Sequence, residues 1–117
     1  MTTINALGLD GTQGFRLDGS AIGDYAGYSV AFVGDLNGDG FEDVIIGANG
    51  YNIGGDAIDP GGAFVVFGAS GGIAGIDNLG QLDGTNGFRI GSYDNYSDFG
   101  SSVSAAGDIN GDGFADL

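Results

Sequence analysis

Asp35-Leu36-Asn37-Gly38-Asp39-Gly40-Phe41-Glu42-Asp43 occurs twice in this chain. It returns as Asp108-Ile109-Asn110-Gly111-Asp112-Gly113-Phe114-Ala115-Asp116, 73 positions later (108 − 35). Oxygen-bearing side chains stand at alternate positions, with glycines between them that let the backbone turn sharply. Counting from Asp35, the candidate ligands fall at positions 1, 3, 5 and 9: Asp35, Asn37, Asp39 and Asp43. Phe41 at position 7 would add its backbone carbonyl. The second loop offers Asp108, Asn110, Asp112, the Phe114 carbonyl and Asp116 in the same places. All-oxygen ligation suits Ca²⁺, which accepts irregular geometry, whereas magnesium wants a stricter octahedron. Zinc wants nitrogen or sulfur, and the chain has no His or Cys.

A plain Asn-Gly or Asp-Gly hairpin turn explains two of these residues. It does not explain three carboxylates at fixed offsets, repeated downstream. At about 5 Å separation and an effective dielectric near 20, each like-charged pair repels by roughly 3 kcal/mol. The spacing therefore predicts a bound cation. An EF-hand would need a bidentate Glu at position 12 between two helices. Position 12 is Ile46, inside an apolar β-like run. A dockerin-type module fails for similar reasons and would set its loops closer together. The loop reads as a β-hairpin turn that encloses an ion.

The rest of the chain agrees with a β architecture. Its 117 residues fit one small domain or a piece of a larger one. Hydrophobic residues make up 42%, enough for a folded core. The 27 glycines follow no Gly-X-Y period, which excludes collagen. They punctuate short runs: Ser29–Val33, Val44–Ile46 and Ala63–Phe67. Such runs read as strands joined by tight turns, and none sustains a helical period.

Charge narrows the partners. Sixteen acidic residues against two basic ones give a formal −14. Only Arg16 and Arg89 are basic, so phosphates have almost nothing to meet. Nucleic acid and anionic membrane surfaces are disfavoured on the same count. Two bound calcium ions would bring the charge to −10 (−14 + 2 × 2). Without Cys there is no disulfide, and calcium serves as the staple. Met1–Asn5 lacks the basic start and apolar core of a signal peptide, and no apolar run approaches membrane-spanning length.

Shifting the chain by 73 residues aligns Gly11–Val44 with Gly84–Leu117, with 16 of 34 positions identical. A period this long, with several strands inside it, suggests propeller blades. Ahead of the second loop stands Phe99-Gly100-Ser101-Ser102-Val103, matched degenerately by Ala26-Gly27-Tyr28-Ser29-Val30. After the first loop comes Gly47-Ala48-Asn49, with Asn where a Gly-Ala-Pro element would have Pro. In this order the motifs resemble the FG-GAP repeat, the blade unit of integrin α-subunit propellers and of many bacterial surface proteins, including bacterial calcium-binding ones. The resemblance covers almost the whole chain. It implies an all-β fold of antiparallel four-stranded blades with calcium-binding hairpin loops.

On this logic residues 1–17 end in the outer strand of a preceding blade, Gly14–Leu17. Residues 18–91 form one complete blade from Ser29–Gly34, Asp43–Ala48, Gly62–Gly68 and Phe88–Ile90. Asn49–Pro60 is a long loop on one face, and Ala69–Asp83 links the third strand to the fourth. Residues 92–117 start a second blade with Ser102–Gly107, and counterparts of Ile45–Gly68 are missing. About 1.6 periods (117/73) cannot close a ring of roughly 4–8 blades, so the chain reads as a piece of something longer.

Other features carry plainer readings. Asp18–Asp24, Asp94–Asp98 and Gly54–Pro60 read as solvated acidic loops, although Asn95-Tyr96-Ser97 is a glycosylation sequon. Arg16 and Arg89, each after Gly-Phe, read as a repeated structural ion pair with nearby aspartates. Tyr25, Tyr28, Tyr51, Tyr93 and Tyr96 offer a sugar-stacking face or ordinary half-exposed positions. Without His, Cys or Lys the common nucleophile systems are impossible, so no enzyme is expected. The resemblance implies an extracellular or cell-surface module for adhesion, or for protein or carbohydrate recognition. The alternatives are a non-catalytic propeller within a secreted enzyme and a calcium-dependent filament element assembling through exposed strand edges.

Overall fold

The computed structural model describes residues 9, 14–52, 60–73 and 76–117. Four strands form one antiparallel sheet: β1 (Ala26–Gly34), β2 (Asp43–Ala48), β3 (Gly62–Val66) and β6 (Gly87–Gly91). They lie in the order β1-β2-β3-β6. A two-stranded hairpin, β4 (Gly68–Ala69) with β5 (Gly72–Ile73), interrupts the return from β3 to β6. The fold is all-β and antiparallel, as expected for a blade.

Past Asp43, the central strands β2 and β3 are apolar throughout for a physical reason: both faces of the sheet are covered. On one face Ile46, Ala48, Phe64 and Val66 meet Tyr51 and Leu79, with Leu17 and Ile76 packed over them. On the other, Ile45, Ala63, Val65 and Val33 meet Leu36 and Val103. Val103 belongs to the second repeat, so that unit closes the second face. Phe64, Val65 and Val66 are fully buried. Each contributes about 1.5–3 kcal/mol by leaving water, more than any single turn hydrogen bond. Edge strand β1 differs: Val30 and Phe32 are exposed, and with Phe15 and Leu17 they line an apolar groove of ≈ 260 Å³.

The strand bounds depart from the sequence reading in five places, the smallest at β6, which runs one residue further at each end than Phe88–Ile90. β1 starts three residues early, at Ala26, and carries a register shift between Ala26 and Ser29 where Gly27 takes φ +92°. β3 stops at Val66, because the Phe67 amide donates to the Asn86 carbonyl (3.0 Å) and Gly68 opens the small hairpin. Gly14–Leu17 joins no ladder; the contact there is an isolated parallel bridge, Asp18 to Asn78. Ser102–Gly107 is not a strand, and only Gly107 pairs, with Asp116. A strand needs a neighbour for its amides and carbonyls, and among the described residues this segment finds one only at Asp116.

The Ala69–Asp83 link is more structured than its composition suggests. Leu79–Gln81 forms a 3-10 turn with a capping box at Asn78. Asn78 Oδ1 accepts from the Gly80 amide (2.7 Å), and Gln81 Oε1 accepts from the Asn78 amide (3.1 Å). The Asn78 side-chain amide reaches the Gly19 carbonyl (2.9 Å), which holds the entry segment over the first face. The Asn78-x-x-Gln81 spacing carries that signal in sequence.

The second repeat docks through bare backbone. A Cβ built at Gly47 would lie 2.0 Å from the Gly100 carbonyl oxygen. One at Gly61 would lie 2.2 Å from the Phe99 oxygen, and one at Gly100 2.0 Å from the Gly62 oxygen. Ser29 Oγ donates to the Gly100 carbonyl (2.9 Å). The Phe-Gly and Gly-Ala elements that are far apart in sequence are therefore in contact, each glycine making room for the other chain.

Candidate metal centre

Residues 35–43 build their turn from side-chain oxygens and backbone amides. Asp35 Oδ1 accepts from the amides of Gly38 (2.7 Å) and Asp39 (3.0 Å), and its Oδ2 accepts from Gly40 (2.8 Å). Asn37 Oδ1 accepts from the Asp39 amide (3.1 Å), and Asp39 Oδ1 from Phe41 (2.9 Å). Asp43 closes the loop: Oδ2 accepts from Leu36 (2.8 Å) and Oδ1 from Gly68 (2.9 Å). Gly38 and Gly40 take φ of +77° and +89°, which L side chains rarely adopt.

The second loop repeats this geometry. Asp108 accepts from Gly111 (2.7 Å), Asp112 (3.1 Å) and Gly113 (2.9 Å). Asn110 accepts from Asp112 (3.0 Å), Asp112 from Phe114 (2.9 Å), and Asp116 from Ile109 (2.8 Å). Gly111 and Gly113 have φ of +75° and +91°. The loops differ in depth. Asp43 is fully buried, tied to β4 through Gly68, whereas Asp116 is half-buried.

All ten sequence-predicted ligands thus lie in two matched turns. Among the described residues, however, no set of three or more His, Cys, Asp or Glu side chains is gathered closely enough to hold a metal ion. The carboxylates are turned onto backbone amides, which satisfies the negative charge locally. An ionised carboxylate has about four acceptor positions. Asp35 uses three of them, and Asp39 and Asp43 two each, the second on Asp39 taken by the Asn37 side-chain amide (3.0 Å). The donor set fits a hard, oxygen-seeking cation. Asp43 adds a carboxylate wholly out of water, met by two neutral amides, a placement that an ion would favour.

The other singled-out residues divide. Arg16 pairs with Asp18 (2.6 Å), both side chains partly exposed. Arg89 makes no matching ion pair among the described residues; it donates to Tyr51 Oη (3.2 Å). The expected repeated ion pair is therefore found once. Tyr51 is buried edge-on against Phe64 (4.9 Å between centroids), so it cannot join a stacking face. Tyr25, Tyr28, Tyr93 and Tyr96 are exposed at or beyond the sheet end away from the loops, where Ala26, Ala48, Gly62 and Gly91 align. Most of the Gly54–Pro60 acidic loop lies outside the described residues.

Asp24 was read as part of a solvated loop, and the structure buries it. Its carboxylate accepts from the amides of Ala21 (3.0 Å) and Ala26 (3.0 Å) and from Ser20 Oγ (3.1 Å). Burial alone would raise its pKa; those hydrogen bonds outweigh it and hold the value below 3.8. The neighbouring Tyr25 has φ +52°, and so does its counterpart 73 residues on, Asp98, at +50°. Each carbonyl accepts from the amide three residues later, Tyr28 (3.1 Å) and Ser101 (3.0 Å). The Ser20-x-x-x-Asp24 spacing, with a hydroxyl four residues before a carboxylate, is the local signal that was available.

Known proteins give the same account of the chain. The FG-GAP repeat family model matches residues 26–81 and 99–117. Integrin alpha-PS5 of Drosophila melanogaster is 41% identical over 99 residues, covering 85% of this chain and 9% of that protein. Integrin alpha-6 of Gallus gallus is 36% identical over 86% of this chain and 8% of its own length. Integrin alpha-E of Mus musculus is 40% identical over 78% of this chain and 7% of its own. The chain thus spans less than a tenth of the length of these relatives. With both family motifs in contact across the two repeats, and the family model matching most of its residues, the chain belongs to the FG-GAP repeat family.

Proposed function

We propose that this chain is a calcium-stabilised structural and recognition module of an extracellular β-propeller. Residues 18–91 form one blade and 92–117 begin the next. The observation that carries the reading is the pair of matched oxygen-lined turns, one of them closed by the buried carboxylate of Asp43. Asp35, Asn37, Asp39, Asp43 and the Phe41 carbonyl would hold one ion. Asp108, Asn110, Asp112, Asp116 and the Phe114 carbonyl would hold the other. The ion would draw the three carboxylates of a loop together from the backbone amides they now face and so fix the turn between the first two strands of a blade.

Recognition then falls to the opposite end of the sheet. Its exposed tyrosines suit protein or carbohydrate contact, each ring having an apolar body and a polar tip. The kinship with integrin alpha chains supports adhesion at a cell surface as the setting. No catalytic step is assigned. Among the described residues no helix is long and apolar enough to cross a membrane.

Calcium titration by calorimetry, with circular dichroism after chelation, tests the reading. Near two ions per chain and a gain of β-structure on binding are expected. At 100 times the dissociation constant each site would add about 2.7 kcal/mol, if the unfolded chain binds none. An absence of binding at millimolar calcium would sink the proposal.

A further inference from the structure

We infer that the second loop braces the first, with Phe114 as the positioning residue, so that the two turns act as a coupled pair. The inference rests on the cation reading for its calcium arm, but the contacts themselves do not. Gly38 sits under the Phe114 ring: a Cβ built there would lie 2.5 Å from Cε1 and 3.3 Å from Cδ1. The Ala115 amide donates to the Asp35 main-chain carbonyl (3.3 Å). A Cβ at Gly34 would lie 3.0 Å from that of Ala115. The residue that opens the first loop is thus held by the backbone of the second, and the peptide at Gly38 is covered by its aromatic ring.

This bracing runs in one direction. Gly111, the counterpart of Gly38 with nearly the same φ, meets nothing within 4 Å. Gly38 also donates to Asp35 Oδ1 (2.7 Å), so the ring presses on a peptide that positions a candidate ligand. Fixing the second loop therefore lowers the conformational freedom the first must lose when it takes up a cation. By thermodynamic reciprocity, a cation in the first loop tightens the second by the same factor. Phe114 would offer an ion its carbonyl, which any residue retains. Removing its ring leaves the second loop's oxygens in place and deletes only the brace.

The test is Phe114→Ala in the 117-residue chain, read by amide hydrogen exchange and calcium titration monitored at individual NMR amides. In chelator, the amides of Gly38, Asp39 and Gly40 should exchange about 5-fold or more faster in the variant, with those of Gly111–Gly113 unchanged. With calcium, first-loop affinity should fall by about 5-fold, within the usual span of such coupling, and second-loop affinity, read with the first loop loaded, by the same factor. Gly38→Ala, which pushes the ring off from the other side, should release the first loop more than Gly111→Ala releases the second. It remains informative if Phe114→Ala fails to fold. Unchanged exchange at Gly38–Gly40 in Phe114→Ala would overturn the brace even if both loops bind calcium. Faster exchange there with no calcium binding would support the brace and refute the cation reading.

Discussion

Gly47→Ala puts the docking of the two repeats to a test in which the usual expectation has the opposite sign. Gly47 lies inside β2, in backbone that any residue can adopt. Glycine there weakens a strand relative to alanine by about 0.5–1 kcal/mol, so local propensity alone predicts stabilisation. The structure predicts loss. The new methyl group would fall 2.0 Å from the Gly100 carbonyl oxygen and 2.3 Å from Ser29 Oγ. Ordinary contact begins near 3.4 Å, so the Phe99–Gly100 backbone must retreat by 1.4 Å (3.4 − 2.0). The Ser29 hydroxyl can rotate away, but the Gly100 carbonyl is backbone and cannot absorb the shift without moving the chain. Overpacking of this kind costs about 1–3 kcal/mol. The Ser29–Gly100 hydrogen bond, 2.9 Å, would be lost for about 0.5–1.5 kcal/mol more. Net of the propensity gain, the variant should be about 0.5–4 kcal/mol less stable. Urea unfolding at fixed calcium measures this directly; the exposed Gly84→Ala meets nothing within 4 Å and gives the cost of backbone strain alone, since Gly84 has φ +96°. A Gly47→Ala protein as stable as the parent, or more so, would mean that the Phe-Gly and Gly-Ala elements are not in contact.

Two further outcomes follow from the electrostatics. Asp24 has a folded pKa below its ordinary 3.8, so the stability it contributes is present above that value and lost as pH falls through the lower folded one. Asp24→Asn should therefore flatten part of the acid limb of a stability-versus-pH curve below about pH 4, and an unchanged limb would remove Asp24 from the account. Arg16→Ala breaks an ion pair whose side chains are 42% and 47% exposed, and solvent-screened pairs contribute about 0–1 kcal/mol. Its melting temperature should barely move, and a large drop would show that the Arg16 stem packs on the blade rather than merely pairing with Asp18.

What sequence could and could not disclose divides along the range of the interactions. The two oxygen-lined turns are local. Most of their hydrogen bonds close within seven residues, so nine residues suffice to specify the shape. The two copies accordingly agree in distance and φ although their surroundings differ. β2 was legible to the residue because its apolar run is bounded by Asp43 and the Gly47-Ala48 element. The strand at Ser102–Gly107 was misread for the opposite reason. It has the pattern of Ser29–Gly34, but a strand is a property of pairs, and the pattern cannot supply the missing neighbour. Tyr51 and Asp24 were misread because their burial depends on contacts across the sheet end: Arg89 and Phe64 for one, the return of Gly50 under Tyr25 for the other.

The same contrast bears on how such a repeat becomes rigid. A turn closed by its own amides needs no hydrogen bond from the strands on either side, and it sets their register by fixing where Gly34 meets Asp43. What the turn cannot do is hold the two repeats together, since its hydrogen bonds stay largely inside it. That work falls to glycines: Gly47, Gly61 and Gly100 bring main chain against main chain, and Gly38 admits the Phe114 ring. Their role is closeness at Gly47, and both closeness and left-handed backbone at Gly38, Gly61 and Gly100. The high glycine content of the chain thus has two distinct physical causes, turning and docking. Substitution separates them: alanine at a turning glycine in open space loses only backbone preference, about 1–2 kcal/mol, whereas alanine at a docking glycine also forces the repeats apart.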